Sequence, residues 1–354
     1  MKTADYWKER FEQLNQSLLN MGDQYYYNEV EKQFRLADRE IEKEISMWYK
    51  RLAVNNDVSM ADAKKLLVGK DLQEFRWSVE DYIKHGTEYG ISGKWAKELE
   101  NASARKHITQ LDALKLQMQQ QLEVLYGNQV DGLDKQLQAI YSDGFYKTAY
   151  EIDKGIGIGS QLQQLDQERI KSVISKPWCS DGKTFSDRLW RDKDTLNSTL
   201  QTELSQAFIR SDGLDKIVKN VTQRMDVATS AAARLVMTES AFFASDAQRA
   251  CFSELGVKKY EFVATLDDRT SETCQDMDSK IFAVSDYAPG TNAPPMHCWC
   301  RSCIVPHFGD EKDYGGMRTA RGEDGKTKLV SAKLSYPEWK KNFVKPSDNP
   351  KKTI

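Results

Sequence analysis

The spacing of hydrophobic residues over the first 250 positions constrains the fold of this chain more than any other feature. Trp7, Phe11, Leu14 and Leu18 follow one another at intervals of three or four, which places them on one face of an amphipathic helix. The same spacing continues through residues 30–48 and returns in several later segments. We therefore predict a mainly α fold, in which a long helical body carries a small C-terminal α+β cap.

Glycine-containing segments predict where the helices of this body end. We expect helix breaks at residues 20–23 and 127–128. The three glycines in residues 155–159 lack the spacing of a phosphate-binding loop, and the lysine of such a loop is missing, so this run indicates a flexible link. Further on, the pattern predicts one helix over residues 214–225 and a second, rich in small residues, over residues 227–252.

Short strands are predicted only in the C-terminal part of the chain. Runs with β-branched and aromatic residues at 259–266, 280–284 and 303–305 are separated by segments rich in glycine and proline. This change of pattern marks the beginning of the cap.

Four segments follow from these patterns. They are an N-terminal helical region at 1–155, a second helical part at 160–255, the small Cys/His-containing cap at 256–310 and a basic tail at 311–354. The tail holds 11 Lys and Arg against 6 Asp and Glu and is expected to be partly disordered. Its excess positive charge could contact DNA without reading its sequence.

Composition limits the possible environments of the protein. The net charge of −2 excludes a protein that is coated with basic residues for binding nucleic acid over its whole surface. No apolar run reaches the roughly 18 residues of a membrane span, so no membrane association is expected. The first ten residues lack the apolar core of a signal peptide, which predicts synthesis and retention in the cytoplasm.

A cluster of cysteines with one histidine indicates a metal site in the cap. Four of the six cysteines fall within residues 274–303, and a histidine in the same stretch follows two adjacent prolines that restrict the backbone. Tetrahedral zinc binds four nitrogen or sulfur ligands, and a C-x-x-C spacing lets two thiolates reach one ion. We predict a structural Zn²⁺ site, with buried metal-free cysteines as the other interpretation. The candidate ligands are Cys274, His297, Cys300 and Cys303, with Cys298 as an alternative.

A metal- or thiol-dependent hydrolase acting on DNA or protein is the alternative function. Cys274 could act as a nucleophile with His297 or His307 as its base. Asp267-Asp268 and Asp276 could hold a divalent cation for nuclease chemistry, although aspartates in turns more often cap strand and helix ends. A zinc deaminase is excluded, because no histidine in the chain is followed two positions later by glutamate.

The residues around this cluster resemble the head-morphogenesis domain of tailed bacteriophages. This is the family of the phage Mu F protein and the minor head protein of phage SPP1. The similarity covers about residues 185–310, and the upstream Thr238-Glu239 is similar to an element that precedes the motif in the family. The matching residues are Asp267-Asp268-Arg269-Thr270, Cys274, Lys280-Ile281-Phe282, Pro294-Pro295-Met296-His297 and Cys300-Arg301.

The chain departs from the family pattern at three places. Cys298 and Trp299 replace a Pro-Asn pair, and Ser279 stands where glycine is common. Ser302 stands where the family usually has a second cysteine, which removes one expected ligand. Cys303 or Cys298 is the candidate to take its place.

The resemblance implies a structural protein of the virion with no enzymatic activity. Proteins of this family are low-copy head components that associate with the portal protein and assist head assembly. Possible further partners are the major capsid or scaffolding protein and, non-specifically, phage DNA during packaging or ejection. The expected locations are the capsid interior or portal vertex and, during assembly, the host cytoplasm.

Overall fold

The structure is a computed structural model, and it describes residues 4–52, 64–66, 73, 109–159, 162–265, 269–309, 319–321, 327–329 and 344–345. Asp267, Asp268 and most of the basic tail lie outside the described residues, so what the sequence indicates for them stays a prediction. Within the described residues, a mainly helical chain with a small C-terminal sheet is confirmed.

Helices make up most of the described chain, because apolar residues recur at helical spacing along it. A π-helical turn at Tyr26–Val30 connects the first two α-helices. The α-helices are α1 (Ala4–Tyr25), α2 (Glu31–Leu52), α3 (Gln110–Ile156), α4 (Gln167–Ile174), α5 (Phe185–Arg210), α6 (Leu214–Glu254) and α7 (Glu272–Met277).

The strands are short and lie mainly in the C-terminal part of the chain. They are β1 (Ile158–Gly159), β2 (Leu162–Gln163), β3 (Lys259–Val263), β4 (Ile281–Ala283), β5 (Cys303–His307), β6 (Thr319–Arg321), β7 (Thr327–Leu329) and β8 (Val344–Lys345). β3 is the central strand of an antiparallel sheet with β4 and β5 on either side, which confirms the three predicted strands of the cap. β1 pairs in parallel with β6, which pairs antiparallel with β7, and β2 pairs in parallel with β8.

Two predicted helix breaks are wrong, because the glycines there lie inside continuous helices. α1 runs through Gly22 and α3 runs through Gly127. A Cβ atom added at Gly22 would lie 2.5 Å from Ser240 Oγ, so this glycine permits a close approach of α1 to α6. A Cβ atom at Gly127 would meet nothing within 4 Å, so that glycine has no packing role among the described residues.

Two further helix boundaries differ from the prediction. α3 extends to Ile156, so the expected link at 155–159 begins inside a helix. The segments predicted as separate helices at 214–225 and 227–252 form the single helix α6. Its middle is rich in alanine, which has the highest helix propensity, so nothing in the local sequence ends the helix there.

The described chain divides into two compact units, each assembled from separate segments. The first unit comprises Met1–Tyr25, Leu133–Thr184 and Arg234–Ile354. The second comprises Tyr26–Gly132 and Phe185–Ala233. Two of the unit boundaries, after Gly132 and after Ala233, therefore fall within α3 and α6.

The second unit has polar pairs within its helical interior. Trp48 Nε1 donates a hydrogen bond to Gln117 Oε1 at 2.6 Å. Lys193 Nζ lies 2.6 Å from Glu123 Oε1, and these side chains are only 12% and 5% exposed. Buried polar groups of this kind are stabilising only while both partners are present.

The first unit contains the cap and the apolar core that supports it. The four α1 residues of the opening sequence pattern are all buried in this core, together with side chains from α6 and from the sheet. Lys8 of α1 forms a 2.7 Å ion pair with Glu261 of β3, and Asn15 Nδ2 donates to the Arg301 carbonyl oxygen at 3.0 Å. These contacts hold α1 against the sheet that carries the Cys/His residues.

Candidate metal centre

Helix α7 is fixed at both ends, and this positions Cys274. Ser271 is its N-cap, and the Ser271 hydroxyl oxygen accepts a hydrogen bond from the Cys274 backbone N–H at 3.3 Å. At the other end Asp278 Oδ1 accepts a hydrogen bond from the Ala264 backbone N–H at 2.8 Å, which ties α7 to the end of β3. Cys274 is consequently buried in an apolar cluster that includes Phe262 and Ala264.

The loop before β5 carries the other two residues of the site. Its Pro294–Pro295 peptide bond is cis, and the Asn292 side-chain oxygen accepts a hydrogen bond from the Tyr260 hydroxyl at 3.0 Å. The Cys300 backbone N–H donates to the His297 carbonyl oxygen at 3.2 Å, which forms a tight turn between them. The side chains of His297 and Cys300 thereby face α7.

Cys274, His297 and Cys300 come together, and we refer to them as the Cys/His cluster. Cys274 Sγ lies 3.3 Å from His297 Nε2 and 3.8 Å from Cys300 Sγ, and the three ligand atoms all lie within 4.8 Å of one another. With Zn–S about 2.3 Å and Zn–N about 2.0 Å, a tetrahedral site has an S–S edge of about 3.8 Å and an S–N edge of about 3.5 Å. The two distances from Cys274 Sγ therefore match the edges of a tetrahedral site.

The second ring nitrogen of His297 is held by the backbone. His297 Nδ1 lies 2.7 Å from the Cys298 carbonyl oxygen. Because a carbonyl oxygen can only accept, Nδ1 carries the proton, and in the neutral ring the lone pair is on Nε2. Metal-binding histidines commonly have this arrangement, in which a backbone acceptor orients the ring.

The two thiols of the cluster share a proton. The hydrogen bond from the Cys300 thiol is the largest of several contacts, including those with the Ser271 and Ser302 hydroxyls, that together lower the pKa of Cys274 to about 5 against the effect of burial. The same contact, together with burial, raises the pKa of Cys300 above its ordinary value. A thiolate next to a thiol is a site at which a cation can displace one proton.

The structure does not bring Cys303 into the cluster. Val263 of β3 pairs with Cys303 of β5, and both belong to the apolar core that α1 also joins. Cys303 lines a cavity of about 580 Å³ there, together with Glu12 and Asp278. Burial and these two carboxylates raise the pKa of the Cys303 thiol, so it stays protonated. Successive residues of a strand point to opposite faces, and for this reason the C-x-x-C spacing does not place both thiols together here.

The remaining candidates also lie apart from the cluster. Cys298 is exposed, and only its carbonyl oxygen contacts the cluster, through His297. His307 is at the end of β5, where it pairs with Lys259, and Asp276 is exposed on α7. The Cys274–His307 pair is therefore not assembled in the described structure, and the predicted cation site at Asp267, Asp268 and Asp276 lies partly outside the described residues.

Ser271 and Ser302 are the residues that sequence reasoning missed. Both hydroxyls hydrogen-bond with Cys274, and Ser302 is only 5% exposed. The pattern Ser-x-x-Cys at the start of a short helix could have indicated the first, since serine is a favoured N-cap. Ser302 could have been found from the alternation of side chains in the strand that follows it.

The Cys/His cluster could therefore hold a metal ion. Its donor atoms lie close together, and the lone pair of His297 is on the ring nitrogen that faces the two sulfurs. Two sulfurs and one imidazole nitrogen suit zinc better than calcium or magnesium, which prefer oxygen ligands.

Comparison with known proteins gives one match. Residues 198–305 match the family model described as phage Mu protein F like protein, and this segment runs from α5 to β5 and includes the whole Cys/His cluster. The resemblance seen in the sequence is thereby confirmed, and at the level of the family it indicates a structural phage head protein. No curated protein and no solved structure matches the chain. Among the described residues, no helix has the length and apolar character needed to cross a membrane.

Proposed function

We propose that this chain, whose residues 198–305 match the phage Mu protein F family, is a minor head protein of a tailed bacteriophage or prophage. The family match carries the proposal, because it spans α6 together with the cap that holds the Cys/His cluster. On this proposal the protein is a low-copy component of the capsid interior or portal vertex and is present in the host cytoplasm during assembly.

The portal protein is the partner that the family resemblance indicates, and we place its binding surface on the second unit. The named elements of that unit among the described residues are helices. Several of its large apolar side chains are exposed, and such side chains form protein–protein contacts where they lie together. They are Tyr27, Leu36, Val124, Ile209 and Val227.

We also propose that Zn²⁺ binds the Cys/His cluster and has a structural role. The buried part of the apolar core around it is small, with Phe262, Ala264 and the two thiols of the cluster as members. An ion there would connect α7 to the loop before β5, and its binding free energy would add to the folding free energy of the cap. The residues of the cluster then hold the cap together.

Limited proteolysis of the full chain tests the structural role of the ion. Complete removal of zinc by a chelator, or the variant Cys300→Ser, should expose the cap to cleavage while the helical circular dichroism signal is retained. Cys298→Ser is the matched control, because this exposed cysteine lies in the same loop but outside the cluster. Unchanged cleavage of the cap after complete metal removal would contradict the proposal.

Quantitative mass spectrometry of purified virions tests the assignment as a head protein. We expect a copy number at or below that of the portal protein in the same particles, with a non-virion host protein as the control for contamination. Absence from mature particles, together with presence in infected cells, would refute a virion component and favour a transient assembly factor or an enzyme.

A further inference from the structure

The pleat of β5 places Ser302, and not Cys303, on the side of the sheet that carries the Cys/His cluster. Val263 pairs with Cys303, so Ala264 and Ser302 are the next residues along the two antiparallel chains. Ala264 packs in the same apolar cluster as Cys274, whereas Cys303 lines the cavity beside α1 together with Lys8 and Glu12. The alternation of side chains across the sheet explains this separation.

Contacts of Ser302 agree with this placement. Its hydroxyl hydrogen-bonds with the Cys274 sulfur, and its backbone forms a hydrogen bond with the Cys300 sulfur. Ser302 is also nearly fully buried. Its side chain therefore borders the donor atoms of the cluster, in the place where a further protein ligand could lie, but a neutral serine hydroxyl is not among the usual zinc ligands.

Neither of the other two cap thiols can fill that place as the structure stands. Cys303 is buried, and its side chain lines the cavity beside α1 and not the cluster. Cys298 is exposed, and among the described residues only Cys274, His297 and Cys300 bring ligand atoms within 4.8 Å of one another.

We infer that the ion bound here has three protein ligands and a fourth coordination position beside Ser302 that takes an exchangeable ligand, with water as the resting occupant. This inference rests on the proposed binding of zinc to the Cys/His cluster. His297 is partly exposed, so the edge of the site lies at the protein surface, where a small ligand has access. Zinc with three protein ligands and one water is the arrangement of sites that exchange ligands, whereas four protein ligands give a closed structural site.

X-ray absorption of the zinc-loaded full chain counts the ligands directly. We expect two sulfurs at about 2.3 Å and two lighter atoms at about 2.0 Å, because only Cys274 and Cys300 supply thiolates. Three sulfurs would overturn the inference, since Cys303 or Cys298 would then have to bind the zinc ion. Cys303→Ala is the matched control and should leave the count at two.

Azide added to the Co²⁺-loaded protein tests whether the fourth position exchanges. The visible spectrum should change in a saturable way with one azide per cobalt ion. A visible spectrum that does not change with azide would overturn the inference. If the double variant Asp267→Asn and Asp268→Asn then responded to azide, the fourth ligand of the unmodified protein would be a carboxylate outside the described residues.

Ser302→Cys should convert the open site into a closed one. We expect three sulfurs by X-ray absorption, loss of the azide response and at least a tenfold increase in zinc affinity. A variant that binds zinc with only two sulfurs would show that residue 302 does not border the ion. If this variant does not fold, the sulfur count and the azide response of the unmodified protein and of Cys303→Ala still show whether the fourth position is open.

The outcomes separate this inference from the proposal on which it rests. If the purified chain binds neither Zn²⁺ nor Co²⁺, the proposed metal site itself is wrong. If it binds one ion per chain with three sulfurs, or without an azide response, zinc binding stands and only the open position is wrong.

Discussion

Zinc binding should release close to one proton per ion at pH 7.5, because the two thiols of the cluster already share a single proton. The Cys300 thiol donates to the Cys274 sulfur across 3.8 Å. This contact is the largest of several that lower the pKa of Cys274 to about 5, and it raises that of Cys300, so at pH 7.5 the pair carries one negative charge and one proton. Two independent thiols with pKa values of about 8.5 would both be mostly protonated and would release nearly two protons.

Isothermal titration calorimetry measures this number directly. The full chain is titrated with Zn²⁺ in several buffers that differ in protonation enthalpy, and the slope of the observed enthalpy against that quantity gives the protons released. Since a proton must leave Cys300, the zinc affinity should also rise with pH, by about tenfold per pH unit around neutrality.

A release close to two protons would refute the shared proton and with it the preformed geometry of the two thiols. Cys298→Ser is the control, because its exposed thiol lies outside the cluster, and both the affinity and the proton number should be unchanged.

Three further predictions concern the stability of the two units. Lys193→Met should lower the free energy of unfolding by roughly 3 kcal/mol in urea denaturation, because Glu123, only 5% exposed, loses its 2.6 Å ion-pair partner; a loss below about 1 kcal/mol would show that water replaces the lysine. Gly22→Ala should cost about 1–3 kcal/mol because the new Cβ would lie 2.5 Å from Ser240 Oγ. Gly127→Ala should instead stabilise by about 0.5–1 kcal/mol, since a Cβ there meets nothing within 4 Å and alanine favours the helix. Equal changes in Tm for the two glycine variants would contradict this reasoning.

The three strands of the cap and all three residues of its Cys/His cluster could be predicted because their signals are local. Strand-forming runs bounded by turn residues need no tertiary information, and the clustering of Cys274, His297 and Cys300 is visible along the chain. The side of the sheet on which Cys303 lies was not visible in this way. It depends on where β5 begins, and a shift of one residue moves a side chain to the opposite face.

The glycines show a second limit of sequence reasoning. Gly22 and Gly127 look alike in the sequence, yet one permits a close approach to Ser240 and the other faces open space. Neither ends its helix, because the helical pattern continues on both sides and outweighs the cost of one glycine, about 1 kcal/mol. The division into two units was equally hidden, since two of its boundaries, after Gly132 and after Ala233, lie within helices that continue through them.

The register of the cap sheet has a consequence for the order in which the cap folds. β3 and β5 pair through Val263 and Cys303, which are 40 positions apart, so their pairing must close a long loop. An ion that joins Cys274 to Cys300, 26 positions apart, closes most of that loop beforehand. Only about 15 residues then remain to be closed, which lowers the entropic cost of strand pairing by about 0.9 kcal/mol. Zinc present during synthesis would therefore speed the pairing of these strands, and chains made without it would complete the cap more slowly.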